Sequence, residues 1–302
     1  MSARVHRLLL PALLAAAALL AASCSVARYA RGPQTAEIEA RTGFEGFLET
    51  VTYPSSEKDL ASRRMVVYLP QDYYRDSLRR YPVLYLLHGA RGNEVTWIDS
   101  ADVLRGLDSL RAARKAADFI LVLPNVNNYF GERDYKDGHA VNAVRAFWTL
   151  DGEVERHFVH DVVERMDSLY RTVPDRSGRA VAGMSSGALQ ALYLAVDHPD
   201  TFDYVGLFSP YAYAPFAARY HQDVYGGLWW KLERRFADPP ACFAIYIGTT
   251  DFFYPHMVLF DRRLTRKGYP HRFVTAPGGH EWYNWSDFFI DFCQGLFLQQ
   301  PQ

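Results

Sequence analysis

The chain contains 302 residues, of which 49% are hydrophobic, so it is long and apolar enough to fold as one large domain around a single core. Its 33 lysines and arginines almost balance its 34 aspartates and glutamates, which leaves a formal net charge of -1. The sequence has neither a basic stripe nor an acidic tail, and its composition therefore argues against nucleic acid and against a strongly charged partner.

The N-terminus has the pattern of an export signal. Arg4 and Arg7 precede an apolar run over residues 8–22, which at about fifteen residues is short for a membrane span. Small residues end this run directly before Cys24, and the arrangement resembles a bacterial lipoprotein signal, in which that cysteine is lipidated and becomes the new N-terminus. We therefore expect an exported outer-membrane lipoprotein that faces the periplasm or the cell surface, with ordinary cleavage nearby as the alternative.

The signal divides the chain into three segments. Residues 1–24 are the export signal, and residues 25–42 are polar without an apolar period, which predicts a tether. Residues 43–300 contain no internal repeat and no low-complexity tract, so they are expected to form a single domain.

Eight short apolar segments, bounded by proline, glycine and polar residues, predict strands. They cover residues 47–52, 64–69, 83–87, 119–124, 179–183, 204–208, 243–248 and 271–275. Helical spacing of apolar residues predicts helices directly after the fifth strand and over residues 101–117, 153–170 and 286–298. Strands that alternate with helices predict a mostly parallel sheet with helices on both faces.

Two stretches between these elements are irregular. Residues 125–150 are rich in Asn, Tyr and Gly, which predicts a loop or a small insertion over the sheet. Residues 210–238 form a long segment that is crowded with tyrosine and tryptophan.

The fifth strand ends in a Gly-x-Ser-x-Gly sequence that runs from Gly183 to Gly187 and has Ser185 at its centre. A serine at a tight turn between a buried strand and a helix forms a nucleophile elbow, which lifts the hydroxyl above the edge of the sheet. The flanking residues must be small because strand and helix approach each other closely. Eight strands with the nucleophile after the fifth are typical of the α/β-hydrolase fold.

A serine hydroxyl needs a base within reach and an acid that orients this base. In this fold the acid and the histidine follow the serine, each after a strand. Asp251 follows the seventh predicted strand, and His280 follows the eighth, so we predict a triad of Ser185, Asp251 and His280. Other acidic residues fit less well, because Asp261 lies within the next predicted helix and Asp287 comes too late in the chain.

Acyl transfer also needs backbone donors for the developing oxyanion. The Ser186 N–H is one candidate, and the Ala90 N–H, in the loop after the third strand, is the second. His88 in the same loop either shapes the loop or contacts the substrate. The sequence has no Cys/His cluster with metal-ligand spacing and no glycine-rich phosphate loop, so neither a metal nor another cofactor is implied.

Cys242 and Cys293 are the cysteines that remain after Cys24. In an exported protein they could pair, but two cysteines do not form a disulfide framework, and free buried thiols are an equal expectation.

Three segments carry a family likeness: residues 81–97, residues 179–189 and the Gly-Gly-His-Glu-Trp-Tyr-Asn-Trp run at 278–285. Together they resemble the esterase D-like branch of the α/β-hydrolases, and the likeness extends over residues 47–298. That branch includes feruloyl and acetyl xylan esterases of carbohydrate esterase family one. It also includes S-formylglutathione hydrolases, mycolyltransferases and siderophore trilactone esterases.

The resemblance implies a serine carboxylesterase on an eight-stranded α/β-hydrolase fold. It assigns the nucleophile, acid and base to the same three residues as the spacing argument, and the oxyanion donors to Ala90 and Ser186. Two positions depart from the pattern of the branch, because Ser186 stands where methionine is common and Ala188 where glycine is common.

We expect feruloyl or acetyl esters on plant cell-wall polysaccharide as substrates, because an exported and anchored enzyme suits an external polymer. Small esters are further candidates. Residues near the expected pocket are predicted to contact the substrate: His88, Trp97, Asn125, Tyr129 and Trp282. Other aromatic residues either stack on sugar or phenolic rings or belong to the core: Trp148, Trp229 and Trp230.

Two other functions stay open. A siderophore trilactone esterase, or another small-ester esterase of the envelope, would be favoured by a positively charged pocket. A surface sugar-binding protein on a hydrolase fold is the alternative that is not an enzyme, and retention of the whole triad argues against it. Mycolyl transfer and peptidase activity are less expected than either.

Overall fold

A computed structural model describes residues 35–57, 60–90, 92–127 and 150–298. The export signal with Cys24, and the residues Tyr129 and Trp148, lie outside this part of the chain. Among the described residues, no helix combines the length and the apolar character needed to cross a membrane.

The described residues form one sheet of eight strands in the order β1-β2-β4-β3-β5-β6-β7-β8. The strands are β1 (Phe47–Pro54), β2 (Ser62–Leu69), β3 (Val83–Leu87), β4 (Ile120–Pro124), β5 (Arg179–Met184), β6 (Tyr204–Phe208), β7 (Cys242–Gly248) and β8 (Arg272–Ala276). β2 is antiparallel to its neighbours β1 and β4, and the other pairs are parallel. The predicted fold class is confirmed, and every predicted strand is present.

Helices connect these strands. Within the described residues they are α1 (Thr35–Glu39), α2 (Thr96–Ala101), α3 (Val103–Ala112), α4 (Glu153–Phe158), α5 (Glu164–Leu169), α6 (Ser186–Asp197), α7 (Pro215–Tyr220), α8 (Gln222–Tyr225), α9 (Leu228–Ala237), α10 (Tyr254–Arg266) and α11 (Trp282–Cys293). A π-helical turn, Val159–Val163, joins α4 to α5, so the helix predicted over residues 153–170 is present with one wide turn.

Side chains of each strand alternate between two hydrophobic cores, one on each face of the sheet. In β3, Val83 and Tyr85 enter a core that is covered by α4, α6, α9 and α10. Leu84 and Leu86 enter a second core that is covered by α2, α3 and α11. Burial on both faces explains why the parallel strands are almost continuously apolar in sequence.

Three sequence predictions about the connecting segments are wrong in detail. The helix expected over residues 101–117 is broken at Asp102, whose φ of 46° ends α2 before α3 begins. The last helix begins at Trp282 and ends at Cys293, and Gly295, with φ of 81°, lies just beyond its end. Part of the predicted tether is helical, and Ile38 of α1 is fully buried in the second core.

The two remaining cysteines do not form a disulfide. Cys293 is buried in the second core, Cys242 is half-buried at the start of β7, and both are free thiols. Burial raises the pKa of both thiols, which keeps them in the neutral, unreactive form.

Candidate active site

Ser185 lies at the turn between β5 and α6 and has the backbone strain of a nucleophile elbow. Its φ of 54° and ψ of -118° fall outside the regions that residues other than glycine usually occupy. A Cβ atom at Gly187 would overlap the backbone carbonyl oxygen of His88, and one at Gly183 would lie 2.6 Å from the backbone of Gly187. The two glycines of the motif are therefore required by the close approach of strand, loop and helix.

Three side chains from the carboxyl ends of β5, β7 and β8 form a continuous hydrogen-bonded relay. The Ser185 Oγ lies 2.9 Å from His280 Nε2, and His280 Nδ1 lies 2.8 Å from Asp251 Oδ2. The carboxylate can only accept, so we place the ring proton on Nδ1, which leaves Nε2 to accept from the serine hydroxyl. The structure thus brings together the three residues predicted as the triad, in the geometry of a nucleophile, a base and an acid.

Asp251 is held in place by the backbone of its own loop. Its second oxygen, Oδ1, accepts a hydrogen bond from the Phe253 N–H at 2.9 Å, and its side chain is fully buried. The Thr250 N–H donates to the Gly278 carbonyl at 3.0 Å, which ties the acid loop to the loop that carries His280. The acid and the base are therefore fixed relative to each other by main-chain contacts as well as by their own hydrogen bond.

Aromatic rings surround the imidazole of His280. The centroid of the Phe252 ring lies 4.5 Å from it, and the Trp285 ring packs edge-on at 4.9 Å. Phe253 contacts the ring from a third direction at 5.6 Å. These rings limit the rotation of the imidazole and cover its faces. They therefore hold its two nitrogens in the orientation that the hydrogen bonds to Ser185 and Asp251 require.

The segments that carry the two predicted oxyanion donors, Ala90 and Ser186, adjoin Ser185. A Cβ atom at Gly89 would lie 3.5 Å from Ser185 Cβ, so the Gly89–Ala90 peptide lies beside the nucleophile. The Ser186 N–H belongs to the first turn of α6, where N–H groups have no acceptor within the helix. The positive end of the helix dipole adds to the attraction for a developing negative charge.

His88 stabilises this loop through hydrogen bonds to the backbone, and the expectation that it contacts the substrate is wrong. Its Nδ1 donates to the Gly89 carbonyl at 2.8 Å, and its Nε2 accepts from the Val126 N–H at 3.0 Å. Burial lowers the pKa of His88 to about 4, so the ring is neutral near pH 7. Because both ring nitrogens are used by the backbone, none is left for a ligand.

Trp97 is a core residue, and its predicted substrate contact is also wrong. The side chain is 1% exposed, and the indole N–H donates to the Leu87 carbonyl at 3.0 Å. Its ring packs against Phe208 and Phe289 in the second core. An aromatic residue after the third strand is thus explained by packing.

The remaining polar and aromatic candidates for substrate contact differ in burial and in the contacts they make within the protein. Trp282 is half-buried and packs edge-on against Trp285, so it lies next to the ring that supports His280. Asn125 is half-buried and donates to Glu94 at 2.9 Å, which uses its amide within the protein. Trp229 is covered on one face by the guanidinium of Arg263, 3.7 Å from the ring centroid, whereas Trp230 is exposed.

Some residues that support the site were not predicted from the sequence, namely Phe252, Phe253, Asn284 and Trp285. The proximity of Phe252 and Phe253 to Asp251 in the chain was the available signal. For Asn284 and Trp285, the signal was the polar and aromatic sequence Glu-Trp-Tyr-Asn-Trp that directly follows His280.

Residues 60–246 match the protein family described as "Putative esterase". The chain belongs to this family. Its fold and its class, that of a carboxylic ester hydrolase, are therefore those predicted from the sequence.

Individual relatives agree with the family match. The endo-1,4-beta-xylanase/feruloyl esterase of Xylanibacter ruminicola is 27% identical over 257 residues, which cover 83% of this chain and 31% of that protein. The chain thus spans about a third of the length of this curated relative.

Solved structures show the same fold. A CE1 ferulic acid esterase from the anaerobic fungus Anaeromyces mucronatus superposes with a TM-score of 0.67 at 25% identity, over 89% of this chain and 97% of that one. An S-formylglutathione hydrolase from Staphylococcus aureus gives a TM-score of 0.66 at 19% identity, over 85% and 98% of the two chains. The second likeness supports the fold alone.

Proposed function

We propose that this protein is a serine carboxylesterase that removes feruloyl or acetyl groups from plant cell-wall polysaccharide through an acyl-enzyme on Ser185. The observation that carries the mechanism is the relay from Ser185 through His280 to Asp251, with hydrogen bonds of 2.9 and 2.8 Å. A histidine base that is oriented by a carboxylate is sufficient to activate a serine hydroxyl as a nucleophile at neutral pH.

In the first step the Ser185 oxygen attacks the ester carbonyl while His280 Nε2 accepts the hydroxyl proton. Asp251 orients the imidazole and stabilises the imidazolium that forms. The N–H groups of Ala90 and Ser186 stabilise the oxyanion of the tetrahedral intermediate. Loss of one such donor costs about a hundred- to a thousandfold in kcat.

The tetrahedral intermediate then collapses to the acyl-enzyme. His280 donates its proton to the leaving alcohol, which for a polysaccharide ester is a sugar hydroxyl. A water molecule replaces the alcohol, His280 accepts its proton, and attack on the acyl carbonyl releases the acid and restores Ser185.

The choice of substrate is supported by two relatives. One is described as an endo-1,4-beta-xylanase/feruloyl esterase and the other as a ferulic acid esterase. The half-buried Phe252 ring, whose centroid lies 4.5 Å from that of His280, offers an apolar surface that suits an aromatic acyl group.

The N-terminal signal supports a location outside the cytoplasm. An enzyme that is anchored through a lipid on Cys24 would act on polymer fragments at the periplasmic or outer face of the envelope. Incorporation of a labelled fatty acid into the full chain, and its loss in Cys24→Ser, tests this proposal. Incorporation that persists in Cys24→Ser would contradict it.

The test of function is an ester-release assay on protein that lacks residues 1–24. Methyl ferulate, acetylated xylan and a catechol trilactone are offered separately to the wild type and to Ser185→Ala. Ser168→Ala is the matched control, because Ser168 is exposed on α5 and its hydroxyl bonds only to the Arg165 carbonyl among the described residues.

We expect release of ferulate or acetate by the wild type and by Ser168→Ala, and none by Ser185→Ala. Release that persists in Ser185→Ala would contradict the mechanism. Activity on the trilactone alone would contradict the substrate and leave the mechanism intact. Tight binding of xylan without any release would favour the sugar-binding alternative.

A further inference from the structure

The loop that carries His280 rests on the first turn of α11. The Asn284 side chain is 1% exposed, and its Nδ2 donates to the Gly279 carbonyl at 2.9 Å. That carbonyl belongs to the peptide group that joins Gly279 to His280. Asn284 therefore holds the backbone immediately before the catalytic base, although it is four residues further along the chain.

Asn284 also lies against the loop that carries the acid. A Cβ atom at Gly248, the last residue of β7, would lie 2.6 Å from Asn284 Nδ2. A Cβ atom at Gly278 would lie 2.9 Å from the same nitrogen. The Asn284 amide thus fills the space between the start of the acid loop and the start of the histidine loop, and both loops need glycine to admit it.

Packing alone does not explain an asparagine at this position. Burial of an amide is costly unless the amide forms hydrogen bonds, and an apolar residue of similar size would avoid this cost. The Asn284 Oδ1 is buried without a hydrogen-bond partner among the described residues, so the single bond to Gly279 is made at the expense of an unsatisfied acceptor. An asparagine that carries this cost indicates that its hydrogen bond to the Gly279 carbonyl positions the backbone.

The next residue, Trp285, contacts the imidazole itself. Its ring packs edge-on against His280 with centroids 4.9 Å apart, on the first turn of the same helix. Asn284 and Trp285 together place the backbone and the ring of His280 through one rigid element. A shift of this turn would therefore change both the distance from His280 to Asp251 and the distance from His280 to Ser185.

We propose that Asn284 is a positioning residue for the esterase reaction, which holds the His280 loop in register with Asp251 and Ser185 through its bond to the Gly279 carbonyl. The inference rests on the proposed roles of the triad. Asn284 contacts neither substrate nor reacting atoms in this proposal, so its loss reduces kcat through the geometry of the relay. KM should change little, since the binding surface is left in place.

The test compares Asn284→Ala with a destabilising variant on the same helix. Phe288→Leu is the matched control, because Phe288 is 3% exposed and packs against Tyr246 in the second core. kcat and KM are measured with p-nitrophenyl acetate, a small ester that does not depend on the proposed polysaccharide. We expect Asn284→Ala to lower kcat about 10- to 100-fold. Its KM should stay within about twofold of the wild type, and Phe288→Leu should lower the Tm with kcat almost unchanged.

A second variant supplies a readout that a purely structural role would not affect. Asn284→Asp keeps the volume of the side chain, but its carboxyl group donates to the Gly279 carbonyl only when it is protonated. Its kcat relative to the wild type should therefore fall as the pH rises. Asp251, Glu281 and His280, the ionisable residues of the adjoining loops, are present in both proteins, so the ratio isolates the change at position 284. This variant decides the question if Asn284→Ala does not fold.

Two results would overturn the proposal. One is a kcat within about twofold of the wild type in both Asn284 variants. The other is an equal loss of kcat in Asn284→Ala and in Phe288→Leu when the two variants have the same Tm. Ser185→Ala is assayed in parallel, because activity in that variant would refute the proposed nucleophile, whereas an inactive Ser185→Ala beside fully active Asn284 variants refutes only the positioning role.

Discussion

Glu155, in α4, is a buried carboxyl group, and we predict that Glu155→Gln stabilises the protein above neutral pH. The residue is 2% exposed, and its Oε1 accepts a hydrogen bond from the Tyr225 hydroxyl at 2.6 Å. Its Oε2 is buried and has no partner among the described residues. Burial raises the pKa of Glu155 from 4.5 to about 7, against the hydrogen bond from Tyr225, which lowers it.

The sign of the effect follows from proton linkage. The folded protein holds the Glu155 proton up to about pH 7, whereas the unfolded chain releases it near pH 4.5. The stability that this neutral carboxyl contributes is therefore fully present below pH 4.5 and is lost as the pH rises through 7. At about 1.4 kcal/mol for each pH unit between the two pKa values, the loss amounts to about 3 kcal/mol at pH 8.

Glutamine has nearly the volume of glutamate, stays neutral at every pH and still accepts from Tyr225. The difference in unfolding free energy between Glu155→Gln and the wild type should therefore grow by about 3 kcal/mol between pH 4.5 and pH 8. Urea unfolding at several pH values measures this difference. The control is Glu164→Gln on the exposed face of α5, which should stay within about 0.5 kcal/mol of the wild type. A pH-independent difference for Glu155→Gln would show that burial does not keep Glu155 protonated in the folded protein.

Gly187→Ala should abolish esterase activity and lower the Tm, because its Cβ would overlap the His88 carbonyl; a fully active variant would contradict the elbow geometry. Trp97→Ala should lower the unfolding free energy by about 3–5 kcal/mol and leave the KM for methyl ferulate unchanged, and a large rise in KM would restore Trp97 as a substrate contact. Reductant should leave the Tm unchanged, and Cys242 and Cys293 should both react with a thiol reagent in denaturant.

The strands and the triad were predictable because their physical causes are local in the sequence. A parallel strand that is covered on both faces must be apolar throughout, which makes β3 and β5 recognisable without further information. The fixed chain order of serine, acid and histidine then narrowed the choice to Ser185, Asp251 and His280. Strand ends and chain order together placed all three side chains at one edge of the sheet.

Helix ends were harder to predict because they depend on single backbone angles. Apolar spacing continues through Asp102, and only its φ of 46° separates α2 from α3. The spacing also continues past Gly295, whose φ of 81° lies beyond the end of the last helix. Neither conformation has a signal in the periodicity of the sequence.

Side-chain environments at the site were the least predictable feature. Trp97 lies in the first turn of α2 and His88 in the loop after β3, where a substrate contact is common, but hydrogen bonds to backbone groups of other segments hold both side chains. Trp97 donates to Leu87, and His88 accepts from Val126, which lies 38 residues further along the chain. The role of Asn284 depends likewise on two loops that meet only in the folded protein.

We propose Ser185 as the nucleophile of a serine esterase. The most direct test is to treat the protein with a fluorophosphonate, which reacts covalently with activated serines, and to locate the adduct by peptide mass spectrometry. We predict one adduct, on the peptide that contains Ser185, and its absence in Ser185→Ala together with the loss of ester hydrolysis. An adduct on another serine, or ester hydrolysis that continues in Ser185→Ala, would show that Ser185 is not the nucleophile.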